Sequence, residues 1–279
     1  MRMTVEREVS DHYAHGALIE AIEAAMAAAG MARDAVTAAD LAPIDEFHIG
    51  GRPATVELAR QLALVPSDRV LDVGSGLGGA ARFFADEYGC TVTGIDLTEE
   101  YVETARTLSG WAGLGDRTVF EHASALAMPF VDASFDAATM LHVGMNIEAK
   151  AELFAEIARV LSPGGRLGVY DVMRTGDGEI AYPLPWATTG KTSFLAPPDR
   201  YRAALESAGL DLVVERNRRD WALDLFRRLR AKAASAGGPP PLSIHIVMGE
   251  TAAQKVKNML DNVAAGIIAP VEMIARKPA

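Results

Sequence analysis

Residues 11 to about 29 place Leu18, Ile19, Ile22 and Met26 on one helical stripe that Gly30 ends, which predicts an amphipathic helix. Thr37 and Asp40 stand ahead of Leu41 at capping-box spacing and predict a short second helix. Residues 45–51 break the helical period, and a further helix is expected from about residue 53 to 64. These helices are too few to bury their own apolar stripes. Residues 1–65 are therefore expected to form a helical cap on the remainder of the chain.

From Arg69 the texture changes. Short apolar runs appear at Val70-Leu71-Asp72-Val73, Thr91 to Ile95, Phe135 to Leu141 and Leu167 to Tyr170, with helical stretches at 79–88, 99–111 and 148–161 between them. Apolar strands alternating with helices predict a parallel sheet covered on both faces, a doubly wound α/β fold. Further on, Pro197-Pro198-Asp199 opens a helix that Gly209 closes, and strands are expected at 210–215 and 270–275. The intervening stretch, about 216–269, carries two helical patterns (221–234 and 251–265) separated by Gly237-Gly238-Pro239-Pro240-Pro241. It is too long for a hairpin turn, so it reads as an insertion serving as a cap, a lid or an oligomer contact. The main domain then runs from 66 to 279.

Composition narrows the classes. The net charge is −10 over 279 residues, which argues against a broad basic face for nucleic acid or an anionic membrane. The single cysteine, Cys90, can build neither an internal disulfide nor a cysteine zinc site, and no metal-ligand cluster is evident. The acidic start (Glu6, Glu8, Asp11) is unlike a signal peptide, and no apolar run reaches the length of a membrane span. A cytoplasmic protein acting on a small molecule is expected; a homodimer stays open.

The densest chemistry lies where the first strand ends, in Asp72-Val73-Gly74-Ser75-Gly76-Leu77-Gly78-Gly79. Glycines let backbone approach a ligand, and the following helix N-terminus presents partial positive charge. Gly74, Gly76 and Gly79 satisfy a dinucleotide fingerprint, while Gly74, Gly76 and Gly78 satisfy G-x-G-x-G, so spacing leaves the ligand open. Asp96, at the end of the next strand, can accept hydrogen bonds from ribose hydroxyls or can cap the helix after it.

Four ordered elements carry a resemblance: Asp72-x-Gly74-x-Gly76-x-Gly78, then Asp96, then Met128-Pro129-Phe130 before Phe135-Asp136, then Leu161-Ser162-Pro163-Gly164-Gly165. Over about residues 47–215 the chain resembles the class I S-adenosylmethionine-dependent methyltransferases. It is most similar to the small-molecule branch that includes quinone-biosynthesis and sarcosine/dimethylglycine enzymes. The resemblance implies a mostly parallel, seven-stranded Rossmann-like sheet with helical cap elements. It also implies S-adenosylmethionine as cofactor, with S-adenosylhomocysteine as product. By position it assigns Asp72, Gly74, Gly76, Gly78, Asp96 and Leu97 to the cofactor, with Ala125 and Leu141 beside it. Many relatives carry an aspartate that binds the adenine amino group where this chain has Ser124, and the resemblance assigns Ser124 to that place, where its hydroxyl can still bond the adenine.

The cofactor's methyl group is already activated, so the protein must hold a nucleophile in line and exclude water. His142, at the end of the fourth strand of the family's sheet, is the first candidate for a general base, and His48 the second. Asp171, Tyr182 and Trp186 are candidates for holding a substrate, the aromatic pair around an apolar or cationic group. His12 and Tyr13 read as surface more readily than as lid, and Arg218, Arg219, Arg227, Arg228 and Arg230 as a solvated or subunit face. Methyl transfer to a small amine or amino acid is the favoured activity. O- or C-methylation of a phenol or quinone is the alternative, and a non-catalytic cofactor-binding regulator the reading from another class.

Overall fold

The computed structural model describes residues 2–14, 16–236 and 241–279; most of the expected Gly-Pro loop, 237–240, lies outside them. Four helices come first: α1 (Arg2–Tyr13), α2 (Leu18–Ala28), α3 (Ala38–Asp45) and α4 (Arg52–Leu62). The expected first helix is thus two. α1 begins earlier than the apolar stripe suggests, and the chain turns at Gly16 with φ of 77° before α2 buries Leu18, Ile22 and Met26. The expected capping box is formed: Thr37 Oγ1 accepts the Asp40 amide and the Asp40 carboxylate accepts the Thr37 amide.

The sheet and its helices come next: β1 (Arg69–Val73), α5 (Gly79–Tyr88), β2 (Thr91–Asp96), α6 (Glu99–Trp111), β3 (Thr118–His122), β4 (Phe135–Leu141), α7 (Lys150–Val160), β5 (Leu161–Arg174), α8 (Pro198–Ser207) and β6 (Asp211–Asn217). Then α9 (Arg219–Ala236), α10 (His245–Met248) and α11 (Ala252–Ala264) are inserted ahead of β7 (Ile268–Arg276). The seven strands lie in the order β3-β2-β1-β4-β5-β7-β6. β1 to β5 are parallel, whereas β7 runs antiparallel to both β5 and β6, so the sheet is mixed. β7 sits between two strands and is covered on both faces, which accounts for its nearly unbroken apolar run. β3 is absent from the sequence-based expectation. It is an edge strand whose residues alternate, with Phe120 buried and Val119 half exposed, so no continuous apolar run marks it. The short α10 is likewise unmarked, because one turn is below the length at which periodicity registers.

The N-terminal helices share the core of the sheet rather than building one of their own. Leu58 and Leu62 of α4 pack with Val70, Val92 and Phe84, and Gly168 of β5 leaves the room that Leu58 occupies. Ile22 and Met26 of α2 pack with Leu77 of the glycine turn and with Tyr101 and Leu108 of α6.

A buried ion pair docks α3. Arg82 on α5 is fully buried and donates to the carboxylate of Asp45, the last residue of α3, at 2.7 Å. Its other terminal nitrogen donates to Ala105 O and Ser109 Oγ on α6. Gly79 makes the approach feasible, because a β-carbon there would lie 2.5 Å from Asp45 Oδ1. Removing one partner of a buried pair strands the other charge, at a cost of about 3–5 kcal/mol. Arg82→Leu is therefore expected to lower the unfolding free energy by about that much in urea titration. A loss below about 1 kcal/mol would show that the pair does not hold α3 in place.

Candidate active site

The carboxyl ends of β1, β2, β3 and β4 open into a cavity of about 330 Å³, roofed by α1. This is the crevice where the strand order reverses between β1 and β4, the usual ligand position in such sheets. At the end of β1, Ser75 N donates to Ile95 O at 2.9 Å and ties the glycine turn to β2. Gly76 adopts φ of 53°, and the space its missing β-carbon would take is open. Gly74, also at positive φ, lets Val143 approach to where a β-carbon would collide with it.

Two acids on neighbouring strands face this cavity. Asp96 Oδ2 accepts the Gly76 amide at 2.8 Å and Oδ1 the Thr98 amide at 2.9 Å, so the carboxylate is fixed at the β2 tip, facing the cavity. Burial raises its carboxyl pKa, against the pull of those amides. Asp72 Oδ1 accepts Thr139 Oγ1 at 2.8 Å, while Oδ2 is buried with no partner. Burial pushes Asp72 up to about 7, the Thr139 bond opposing it and the charges of Glu46 and Asp96 adding to it. A buried, unpartnered acceptor fits a ligand's ammonium or other donor, a carboxylate at the next strand tip fits ribose hydroxyls, and the open space at Gly76 admits the chain between them.

The structure brings together nearly all the residues expected at the cofactor. Asp72, Gly74 and Gly76 at β1, Asp96 and Leu97 at β2, Ser124 and Ala125 past β3, and Leu141 at β4 all line this cavity. Gly78 does not line it. A β-carbon there would strike Phe120 and Arg82, so this glycine serves the packing of the turn.

A second cavity of about 390 Å³ abuts the first. Its walls are largely apolar: Ile49, Met145, Trp186, Phe226, Met248 and Met259 among them, several from the insertion between β6 and β7. Tyr13, Glu46, Phe47, His48 and His142 line both cavities and form the wall between them. His142 takes φ of 55°, a strained conformation for a non-glycine residue, and its amide donates to Tyr170 O at 2.7 Å. Its ring stacks on Tyr170 (5.3 Å, 30°), and its Nε2 is buried without a partner. Burial and the neighbouring His48 hold its pKa well below the usual value. His48 Nε2 lies 3.1 Å from both Gly51 O and Thr55 Oγ1, and burial lowers its pKa to about 4. Both rings are thus neutral at pH 7, but the His48 nitrogen is committed to backbone and hydroxyl.

Of the residues expected to hold a substrate, only Trp186 lines the second cavity, with its indole NH given to Ser193 Oγ at 3.1 Å. Asp171 lines neither cavity: it is fully buried, accepts the Tyr201 hydroxyl at 2.6 Å and the Val172 amide, and burial raises its pKa to about 6. Tyr182 packs in the apolar cluster behind Trp186 and lines neither cavity. Tyr13 is no surface residue; its hydroxyl accepts Asn146 Nδ2 at 2.9 Å at the junction of the cavities, and His12 Nε2 lies 3.1 Å from Pro185 O. In the expected basic face, Arg219 donates to Val263 O and Ala264 O and so ties α9 to α11 within the insertion, while Arg218 donates to Glu272 of β7 and holds the start of the insertion to the sheet. Glu6, Tyr13 and Glu46 are not readable as site residues from sequence, because only tertiary packing brings α1 and α3 over the strand tips. Among the described residues, no cluster suited to a metal ion is present and no helix is long and apolar enough to cross a membrane.

Comparison with known proteins agrees with this geometry. The family model described as "Methyltransferase domain" matches residues 71–169. The chain is 34% identical over 177 residues to methyltransferase GfsG of Streptomyces halstedii, covering 62% of this chain and 64% of that one, just under two thirds of its length. It is 34% identical over 193 residues to the 27-O-demethylrifamycin SV methyltransferase of Amycolatopsis mediterranei, covering 64% of this chain and 70% of that one. Among solved structures the [4+2]-cyclase SpnF superposes with a TM-score of 0.64 at 24% identity over 81% of each chain, a likeness of fold alone. With its glycine turn, its paired acids and a relative matched over most of its length, the chain belongs to the class I S-adenosylmethionine-dependent methyltransferases.

Proposed function

We propose that the chain transfers a methyl group from S-adenosylmethionine to a hydroxyl oxygen, or an acidic carbon, of a bulky apolar molecule held in the second cavity. The observation that carries this is the apolar chamber of about 390 Å³ meeting the first cavity at a wall that contains an unpartnered histidine nitrogen. A 27-O-demethylrifamycin SV methyltransferase among the relatives supports oxygen as the accepting atom. The small amine favoured from sequence has less support, because Asp171 and Tyr182, the groups expected to meet a cation, line neither cavity. A protein named as a cyclase, SpnF, shares this fold, so methyl transfer rests on the site and not on the sheet.

In this reading Asp72, Gly74, Gly76, Asp96, Leu97, Ser124, Ala125 and Leu141 hold the cofactor. When bound it supplies an electrophilic sulfonium methyl group. Asp72 Oδ2 accepts from the ammonium end, and Asp96 accepts from the ribose. The aromatic wall excludes water from the line of transfer. His142 Nε2, neutral at working pH, accepts the proton that the substrate hydroxyl loses. His48, bonded to Gly51 O and Thr55, positions the wall. The helices up to residue 65 and the insertion at about 216–269 close the chamber, and substrate choice is assigned to them.

With labelled S-adenosylmethionine, an apolar polycyclic or macrocyclic alcohol should take up methyl at least tenfold faster than sarcosine or dimethylglycine; the reverse order would overturn the substrate reading. His142→Ala should lower turnover about a hundredfold or more, with cofactor affinity within twofold, and unchanged turnover would remove His142 as the base. Since Asp72 titrates near 7 when free and must be charged to meet an ammonium, affinity for S-adenosylmethionine should fall, up to tenfold per pH unit, as pH drops from 7 to 5. In Asp72→Asn that slope should flatten, leaving only what Asp96 contributes; an equally steep slope in the variant would exclude Asp72 as its source.

A further inference from the structure

We propose that Glu6, on the N-terminal helix, is the acceptor that selects the adenine base of the cofactor, with Ser124 as the residue that positions it. The proposal rests on the reading of the first cavity as the cofactor site. The Ser124 hydroxyl has already committed its proton. Ser124 donates to Glu6 Oε1 at 2.6 Å, while its oxygen accepts the Leu126 amide at 3.2 Å. A serine has one proton to give, so Ser124 cannot also donate to a ring nitrogen, and the stronger acceptor beside it is the carboxylate. That carboxylate arrives from 118 residues away.

Strand order places the base there. β3 lies on the far side of β2 from β1. A ligand with its amino-acid end over the β1 turn and its ribose on Asp96 must extend its base toward the end of β3. Ser124, Ala125 and Glu6 line the cavity at that end, and Val5 and Val9 of α1 line it too, offering apolar surface to a flat ring. Adenine presents an exocyclic amine, a donor that a carboxylate accepts. Hypoxanthine presents a carbonyl oxygen at the same position, which a carboxylate repels. α1 thus supplies part of the recognition of the base as well as the roof.

Calorimetric titration with S-adenosylhomocysteine and with S-inosylhomocysteine tests this on the full chain. The wild-type protein should prefer the adenosyl compound at least tenfold. Glu6→Ala should weaken adenosyl binding ten- to a hundredfold and leave inosyl binding nearly unchanged, since a hydrogen bond to a charged group is worth that much. Glu6→Gln, whose amide can turn its NH2 toward a carbonyl, should narrow or invert the preference. Equal weakening of both compounds by Glu6→Ala, or no weakening at all, would overturn the proposal. Asp96→Ala should weaken both compounds alike, because both carry the ribose. Should Asp96→Ala behave so while Glu6→Ala leaves the preference intact, the site reading stands and the role of Glu6 falls. Wild-type protein that binds neither compound would overturn both.

Discussion

The buried ion pair between Arg82 and Asp45 sets where the segment of the wall that follows α3 lies against the sheet. Asp45 ends α3, and the next three residues, Glu46, Phe47 and His48, are part of the wall between the two cavities. Arg82 belongs to α5, whose position is fixed by β1 and the glycine turn. The wall is thereby referenced to the sheet through one side chain with no freedom to move. A pair this deep contributes little net stability against an apolar alternative, but it fixes one arrangement, since either charge left alone is costly. Gly79 is the concession that allows it, giving up a side chain for the close approach of α3.

Further strain and burial accumulate around that wall. His142 sits at positive φ, with its nitrogen unpaired, in contact with both cavities. Glu46 is buried yet satisfied by Arg52 and Thr55, so it shapes the wall without presenting a free charge to the chamber. The same desolvation that keeps both imidazoles neutral raises Asp72 and Asp96. A site built this way gains from an incoming cation and from hydroxyl donors, which relieve the buried acids. Its apolar side gains only from area, which suits a substrate recognised by shape more than by charge.

What the sequence displays is local. The glycine turn, Asp72 and Asp96 lie within one strand-turn-helix unit and its neighbour, where spacing alone determines geometry. The buried strands β1, β2, β4 and β7 announce themselves as apolar runs, while β3, paired on one side only, alternates and leaves no such mark. The apolar run ending at Tyr170 puts Asp171 at a strand tip, but β5 continues to Arg174, so the residue lies inside the strand, where Tyr201 partners it. Glu6 and Tyr13 sit on a mostly polar helix whose few apolar residues give weak periodicity. Their place over the cavity depends on tertiary contacts that no spacing rule encodes. The departure at Ser124 is visible in sequence; the carboxylate that accompanies it is not.

Labour is divided between two cavities and the wall that separates them. A crystal structure of the chain with S-adenosylhomocysteine tests this division most directly. The ribose should lie on Asp96, the base beside Ser124, and the sulfur should face the wall formed by Tyr13, His48 and His142, with the apolar chamber left free. A ligand found in the apolar chamber, or bound in the opposite direction with its base over the β1 turn, would contradict it.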